Sequence, residues 1–359
     1  NPIDYNGMKL VRENAKPISS DSGLLEIKKI AEKNKFPTKN PEKRGTYQKV
    51  DLLHEYVKCI LGYIDLNNIQ PIKLVMNSGN GSAGPVIDEL ERFFIKNKTP
   101  LSMIKVNNDP DGSFPNGIPN PLLKDNRAET ISNVLKSNAD IGVAWDGDFD
   151  RCFLFDENGR FIEGYYIVGL LAKAFLEKIP GSKIVHDPRL TWNTIEVVSE
   201  YNGIPIQSKT GHAFIKEKMR EVDAVYGGEM SAHHYFKDFF YCDSGMIPWL
   251  LITELMCKKG QSLSELVDEM IEKYPSPGEI NFKVRDPKLS ISRVEKYFQN
   301  DALNIDYTDG VSIELETWRF NLRLSNTEPL VRLNIETRSD ASSLEIYIKK
   351  ITSLLSEDT

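Results

Sequence analysis

IKLVMNSGNGSAGPVIDELERFFIKN, residues 72–97, joins a mostly apolar run to a glycine-rich turn and then to a stretch whose apolar residues recur every three or four positions. A short buried strand handing over to an amphipathic helix is what such a pattern predicts. The handover repeats on either side. A helix pattern in VDLLHEYVKCILGYI precedes it, and a strand in LSMIKV, a helix in AETISNVLKSN and a strand in IGVAW follow. Alternation of this kind predicts an α/β domain with helices on both faces of a mixed, largely parallel sheet. A similar rhythm runs on through YYIVGLLAKAFLEK, KIVH, TIEVVSEYN, IPIQS, AFIKEKMREV and AVYGG. Two three-layer α/β domains in tandem, 47–157 and 158–274, are therefore expected, without repetition of sequence.

YPSPGE, residues 274–279, has the chemistry of a hinge. The alternating runs INFKV, VSIELE, WRFNLRLS and LVRLNIETR, closed by the helix pattern SLEIYIKKITSLLS, predict a C-terminal α+β domain over 275–359 with a mostly antiparallel sheet. Residues 1–46 contain one amphipathic helix candidate, GLLEIKKIAEKN, and too little apolar sequence for a core of their own. They read as the remnant of a preceding domain.

The chain has 359 residues, a net charge of −7, and no apolar run long enough to span a bilayer. A broad nucleic-acid footprint needs a basic face, so neither nucleic acid nor membrane is an expected partner. Four cysteines without CxxC spacing suit reduced thiols, and cytoplasmic residence is expected.

AWDGDFDRC, residues 144–152, sets Asp146, Asp148 and Asp150 two positions apart and follows them with Arg151. The run falls after an apolar strand, where α/β proteins place ligands. Three crowded carboxylates repel unless a cation neutralises them, and few carboxylates with open positions suit Mg²⁺. A calcium-binding EF-hand loop starts similarly, but its sixth position needs glycine and here holds Arg151. A solvated turn is the bland alternative.

Four further loops carry candidate chemistry. Gly79, Gly81 and Gly84 have dinucleotide-site spacing, for which tight backbone turning is the competing explanation. SKTGHAFIK places Lys209, Thr210, Gly211 and His212 at a helix start able to receive an anion. YGGEMSAHHYF brings Glu229 and Ser231, two groups able to clasp sugar hydroxyls, beside His233, which can move protons near neutral pH. RLSNTEP offers Arg323, Ser325, Asn326 and Thr327, the makings of a phosphate cup.

Taken together, NPIDYNGMK, DGDFDR, GEMSAH and RLSNTEP resemble, in order, the loops of the α-D-phosphohexomutase superfamily, in its bacterial phosphomannomutase/phosphoglucomutase branch. The resemblance implies a monomer or weak homodimer whose domains each give a loop to a central cleft. It implies that Asp146, Asp148 and Asp150 hold Mg²⁺, that Arg151 lies beside a phosphoserine, and that Lys9 and His233 assist phosphoryl transfer. Glu229 and Ser231 would hold the sugar, with His212 and Arg189 in the cleft, and Arg323, Ser325, Asn326 and Thr327 would bind the phosphate not being transferred. The substrate would be mannose or glucose phosphate, with a hexose 1,6-bisphosphate as intermediate and activator; GEMSAHHYF and DPRLTWNT tilt the choice toward mannose. The family's serine would stand two positions before Asn1, so the chain as given is expected to lack turnover. A non-catalytic phosphosugar-binding protein and a dinucleotide-dependent oxidoreductase are the alternatives of other classes.

Overall fold

The computed structural model describes residues 7–36, 45–324, 330–338 and 340–356. Near the start, α1 (Leu24–Glu32) buries none of its side chains. The first sheet consists of β1 (Ile72–Asn77), β2 (Leu101–Val106), β3 (Ile141–Trp145), β4 (Cys152–Phe155) and β5 (Phe161–Ile162), flanked by α2 (Leu53–Leu61), α3 (Gly84–Lys96) and α4 (Ala128–Ser137). The second consists of β6 (Lys183–His186), β7 (Ile204–Gln207), β8 (Tyr226–Gly228), β9 (His234–Phe236) and β10 (Cys242–Asp243), with α5 (Gly164–Lys178), α6 (Trp192–Glu200), α7 (His212–Val222), α8 (Ile247–Lys259) and α9 (Leu263–Lys273).

The two sheets have one topology. Their strand orders are β2-β1-β3-β4-β5 and β7-β6-β8-β9-β10. In each, three strands run parallel and the last two turn antiparallel. The sheets are thus mixed, as expected: parallel from the first edge through the third strand, then antiparallel, where neighbouring strands can be joined by a short connection without a helical crossover.

Alternation along the central strands builds the layers. Leu74 and Met76 join Val57, Ile60, Ile87 and Leu90 of α2 and α3 on one face, while Val75 meets Val134 of α4 on the other. In the second sheet Val185 meets Ile215 and Met219 of α7. The two units share a continuous apolar core, with α8 inside it. Helix α8 is buried on every side from Ile247 to Met256, which hides its period from the sequence. Its buried Glu254 accepts from Asp65 N (2.9 Å), Asn68 Nδ2 (2.9 Å) and Lys178 Nζ (2.6 Å), so this carboxylate ties both units together without being left unpaired.

The third sheet is antiparallel throughout, in the order β11-β15-β14-β13-β12. Its strands are β11 (Ile280–Lys283), β12 (Asn304–Asp306), β13 (Val311–Glu314), β14 (Trp318–Leu324) and β15 (Leu330–Thr337), packed on α10 (Pro287–Phe298) and α11 (Leu344–Leu355). Phe320, Leu322, Leu333 and Ile335 face Val294, Phe298 and Ile351 of those helices. On the opposite face the register sets three polar pairs across β14 and β15: Arg319 with Glu336, Asn321 with Asn334, and Arg323 with Arg332.

The glycine run after β1 is close-packed. A methyl on Gly81 would stand 2.7 Å from the Gly147 carbonyl, and one on Gly84 would stand 1.7 Å from that of Asn108. Ser82 N–H donates to the same Gly147 carbonyl (2.9 Å), so this turn seats the acidic loop. Among the described residues no helix is long and apolar enough to cross a membrane.

Candidate active site

The acidic loop and the GEMSAH loop are the same turn made twice. Each follows the third strand of its unit, β3 or β8. Asp146 opens the first and its carbonyl accepts from Phe149 N (3.1 Å); Glu229 opens the second and its carbonyl accepts from Ala232 N (3.0 Å). Phe149 (φ 52°) and Ala232 (φ 69°) both lie in the left-handed region, a strained placement for non-glycine residues that often marks a functional turn. Both acids are buried. Arg151 and His233 then close their turns by pairing with each other in an isolated antiparallel bridge. The second unit seats both turns on glycines: a methyl on Gly164 would meet the Met230 carbonyl of its own turn at 2.3 Å, and one on Gly245 would meet the Phe149 carbonyl of the first unit's turn at 2.4 Å.

Around this join the charges interlock. Arg151 Nε donates to Asp146 Oδ2 (2.6 Å). Lys9 bridges Asp150 (2.5 Å) and Asp243 (2.7 Å), and Lys216 takes the other Asp243 oxygen (2.5 Å). Burial pulls the Lys9 ammonium down, but Asp243 and Asp150 outweigh it, and Lys9 stays charged. Burial pushes Asp146 up to about 6, opposed by Arg151 and reinforced by Asp150 and Asp148. Oxygen atoms of Asp146, Asp148 and Asp150 lie within 4.8 Å of one another, a donor set able to hold a hard divalent cation. His233 stands 3.3 Å from Ser231 Oγ and 3.6 Å from Asp150. Burial lowers its pKa against the pull of Glu229 and Asp150, and His212 is lowered by burial and by Lys216 and Lys9.

Arg189 is buried and gripped by Asp187, which accepts from its Nε (3.0 Å) and Nη2 (2.8 Å) and from Met230 N (2.8 Å). Arg189 Nη2 reaches Ser231 Oγ (3.4 Å). Burial opposes ionisation of Asp187, but Arg189 and the N–H donors hold it below its ordinary value of 3.8. A depressed folded value means that this carboxylate stabilises the fold fully above about pH 4 and loses that effect as pH falls through the folded value. Asp187→Asn is expected to cost about 3 kcal/mol near neutral pH, since a buried guanidinium loses its counter-charge. In urea titrations from pH 6 to 2.5 the gap between wild type and variant should narrow below pH 4; a constant gap would contradict it.

A cleft of about 640 Å³ collects the side chains singled out from the sequence: Lys9, Arg151, Arg189, His212, Glu229, Ser231, His233 and Arg323 all line it. The three aspartates are not in its lining; Asp146 and Asp150 meet it through Arg151 and Lys9. Within the lining, Thr210 Oγ1 and His212 Nδ1 are buried with no partner among the described residues. Ser325, Asn326 and Thr327 lie outside the described residues. Their flank is described: Arg323 and Arg332 face each other across β14 and β15, and both pair with Glu279 (2.7 and 3.0 Å). The Nε of each guanidinium is buried and has no partner among the described residues.

Asp187, Lys216, Asp243, Glu279 and Arg332 were not singled out from the sequence. Arg332 had a signal, a basic residue in the alternation of LVRLNIET, and Asp187 had another, an acid at a strand's carboxyl end. Lys216 and Asp243 had none, because their partners are distant in sequence.

Residues 54–159, 163–274 and 279–351 match alpha/beta/alpha domain II, alpha/beta/alpha domain III and the C-terminal domain of phosphoglucomutase/phosphomannomutase. The chain belongs to that family. A phosphomannomutase of Escherichia coli strain K12 is 59% identical over 357 residues, covering 99% of this chain and 78% of that protein. One from Vibrio cholerae is 59% identical over 356 residues, covering 99% and 76%. The crystal structure of a phosphoglucomutase/phosphomannomutase family protein from Burkholderia thailandensis superimposes with a TM-score of 0.85 at 30% identity, covering all of this chain and 75% of that one. The family resemblance drawn from the four loops thus holds over nearly the whole chain.

Proposed function

We propose that this chain serves a phosphomannomutase, interconverting mannose 6-phosphate and mannose 1-phosphate through a 1,6-bisphosphate. The observation that carries the proposal is the shared cleft, in which one wall offers sugar-binding groups and another offers guanidinium groups, in a chain 59% identical to phosphomannomutases. Arg323 and Arg332 would take the phosphate that is not transferred, together with Ser325, Asn326 and Thr327. Two like charges directly opposite in a sheet repel, and Glu279 offsets them here; a phosphate dianion would do so with better geometry for paired guanidinium donors.

Glu229 and Ser231 would bind adjacent sugar hydroxyls. The Glu229 carboxylate is held rigid by Gly211 N (2.7 Å) and by the Tyr235 hydroxyl, and it keeps lone pairs on both oxygens. Arg189 backs Ser231 from behind. His212 would donate or accept at the sugar through its unpartnered Nδ1. His233, neutral at pH 7, would relay a proton between a sugar hydroxyl and the acidic loop. Arg151 and Lys9 would stabilise the oxygens of the travelling phosphoryl group. Asp146, Asp148 and Asp150 are the residues that would hold Mg²⁺, which when bound supplies Lewis-acid charge toward a phosphoryl oxygen.

The test is conversion followed by ³¹P NMR, with Mg²⁺ and a catalytic amount of glucose 1,6-bisphosphate, using the chain as encoded by its complete reading frame. Appearance of mannose 1-phosphate from mannose 6-phosphate is expected. A protein that is folded yet forms none would sink the proposal.

A further inference from the structure

The polar face of the third sheet carries two devices on the same pair of strands. At one end stand Arg323 and Arg332, in the cleft. Four residues along each strand, on the same face and roughly 13 Å away, stand Arg319 and Glu336, both buried. Glu336 Oε1 accepts from Arg319 Nη1 (2.9 Å), Thr191 N (2.8 Å) and Trp192 N (3.3 Å), the last two at the start of α6. Its Oε2 accepts from the Tyr165 hydroxyl of α5, whose oxygen in turn accepts from Asn193 N (2.7 Å). Arg319 donates to the carbonyls of Arg189 (3.1 Å) and Pro188 (3.0 Å).

We infer that Arg319 and Glu336 are positioning residues: they hold the Arg189 turn, and through it the sugar-facing turn at Glu229–Ser231, at a fixed reach from the phosphate-facing arginines. The chain of contacts is continuous. The fork of Arg319 fixes the backbone at 188 and 189; the Arg189 side chain touches Ser231 Oγ (3.4 Å), and Asp187 takes the Met230 N–H (2.8 Å).

Energetics favour a geometric role. A buried ion pair between two layers is a poor source of stability compared with apolar packing, but its hydrogen bonds are directional. The neighbouring pair on this face is not keyed in the same way. Asn334 is fully buried and, among the described residues, neither its Nδ2 nor its Oδ1 has a partner, nor does Asn321 Oδ1. Elsewhere the contacts between the layers sit at the edge, as with Trp192 Nε1 on Glu314 (3.0 Å) and Gln207 Nε2 on Asp306 (2.7 Å). Two-point binding of a sugar phosphate gains over single-point binding only when the subsites stand at the matching separation. Inorganic phosphate, a single-point ligand, is indifferent to that separation.

The inference rests on the proposed function, and calorimetry with two ligands separates them. Glu336→Gln and Arg319→Lys are expected to weaken mannose 6-phosphate binding about tenfold or more while leaving inorganic phosphate within about twofold. Tyr165→Phe, which trims one hydroxyl and keeps the ion pair, should show the same selectivity at about threefold. Near-UV circular dichroism reports whether each variant keeps its packing. Folded variants that bind mannose 6-phosphate like wild type, or that lose both ligands in proportion, overturn the positioning role. Wild type that binds inorganic phosphate but no hexose phosphate overturns the functional proposal, and the positioning role with it.

Discussion

Asp148→Asn is expected to weaken Mn²⁺ or Mg²⁺ binding by roughly a hundredfold or more while leaving the fold untouched. The three aspartates differ in what else they do. Asp146 is buried and engaged by Arg151, and Asp150 is engaged by Lys9, so replacing either disturbs an ion pair as well as a ligand. Asp148 is exposed and makes no hydrogen bond or ion pair among the described residues, yet its oxygens lie within 4.8 Å of those of the other two. Its substitution would therefore remove the proposed cation ligand and little else. Without the ion, the loop depends on Arg151 and Lys9 to offset its charge, and burial still pushes Asp146 up to about 6. A divalent cation relieves that repulsion directly, and two carboxylates do so less well than three. Mn²⁺ titration followed by electron paramagnetic resonance checks the affinity, and urea unfolding checks the fold. Unchanged Mn²⁺ affinity would show that the loop is not the cation site.

Much of this arrangement could be read from the chain because strand and helix periods differ. IKLVMN, LSMIKV and IGVAW coincide with β1, β2 and β3; the apolar runs of β1 and β3 suit strands buried on both faces, whereas β2, at the sheet edge, is only partly buried. The amphipathic helices α2, α3, α4, α6, α7 and α11 are equally plain, whereas α9 and α10, though amphipathic, are not among the elements expected from the sequence. Helix α8 was not, because IPWLLITELMCKK is buried on nearly every side and has no polar stripe to reveal a period. Nor were β5 and β10, at two residues each.

The site divides in the same way. Asp146 and Glu229 were conspicuous as acids at strand ends, but their equivalence was hidden, since WDGDFDR and GEMSAH share no residue pattern and only the backbone repeats. Register was also hidden. LVRLNIETR shows that alternate residues are polar, but it cannot show that Arg332 faces Arg323, or that Glu336 faces Arg319, because pairing depends on the turn between the strands. Long-range charge partners such as Lys9 and Asp243, 234 residues apart, leave no trace in local sequence at all.

The pairing of Arg323 with Arg332 leads to the second large effect, and it separates phosphate recognition from sugar recognition. Replacing both by alanine is expected to weaken mannose 6-phosphate binding by roughly 10²–10⁴-fold, because each charged hydrogen-bonded contact to a phosphate contributes about 1.5–3 kcal/mol. Inorganic phosphate should weaken in parallel, in contrast to the selective loss expected on disturbing Glu336. Single substitutions should each give part of the effect without summing to the whole, since the two guanidinium groups share one partner in Glu279 and are coupled. That partner also supplies the control. Glu279 holds both arginines, so Glu279→Gln keeps the guanidinium groups while removing the competing charge, and binding should survive it. If the double variant stays folded and binds mannose 6-phosphate within a fewfold of wild type, the phosphate is held elsewhere in the cleft. The Nε atoms of Arg323 and Arg332, unpartnered among the described residues, would then be buried without purpose, at a desolvation cost that natural cores rarely tolerate.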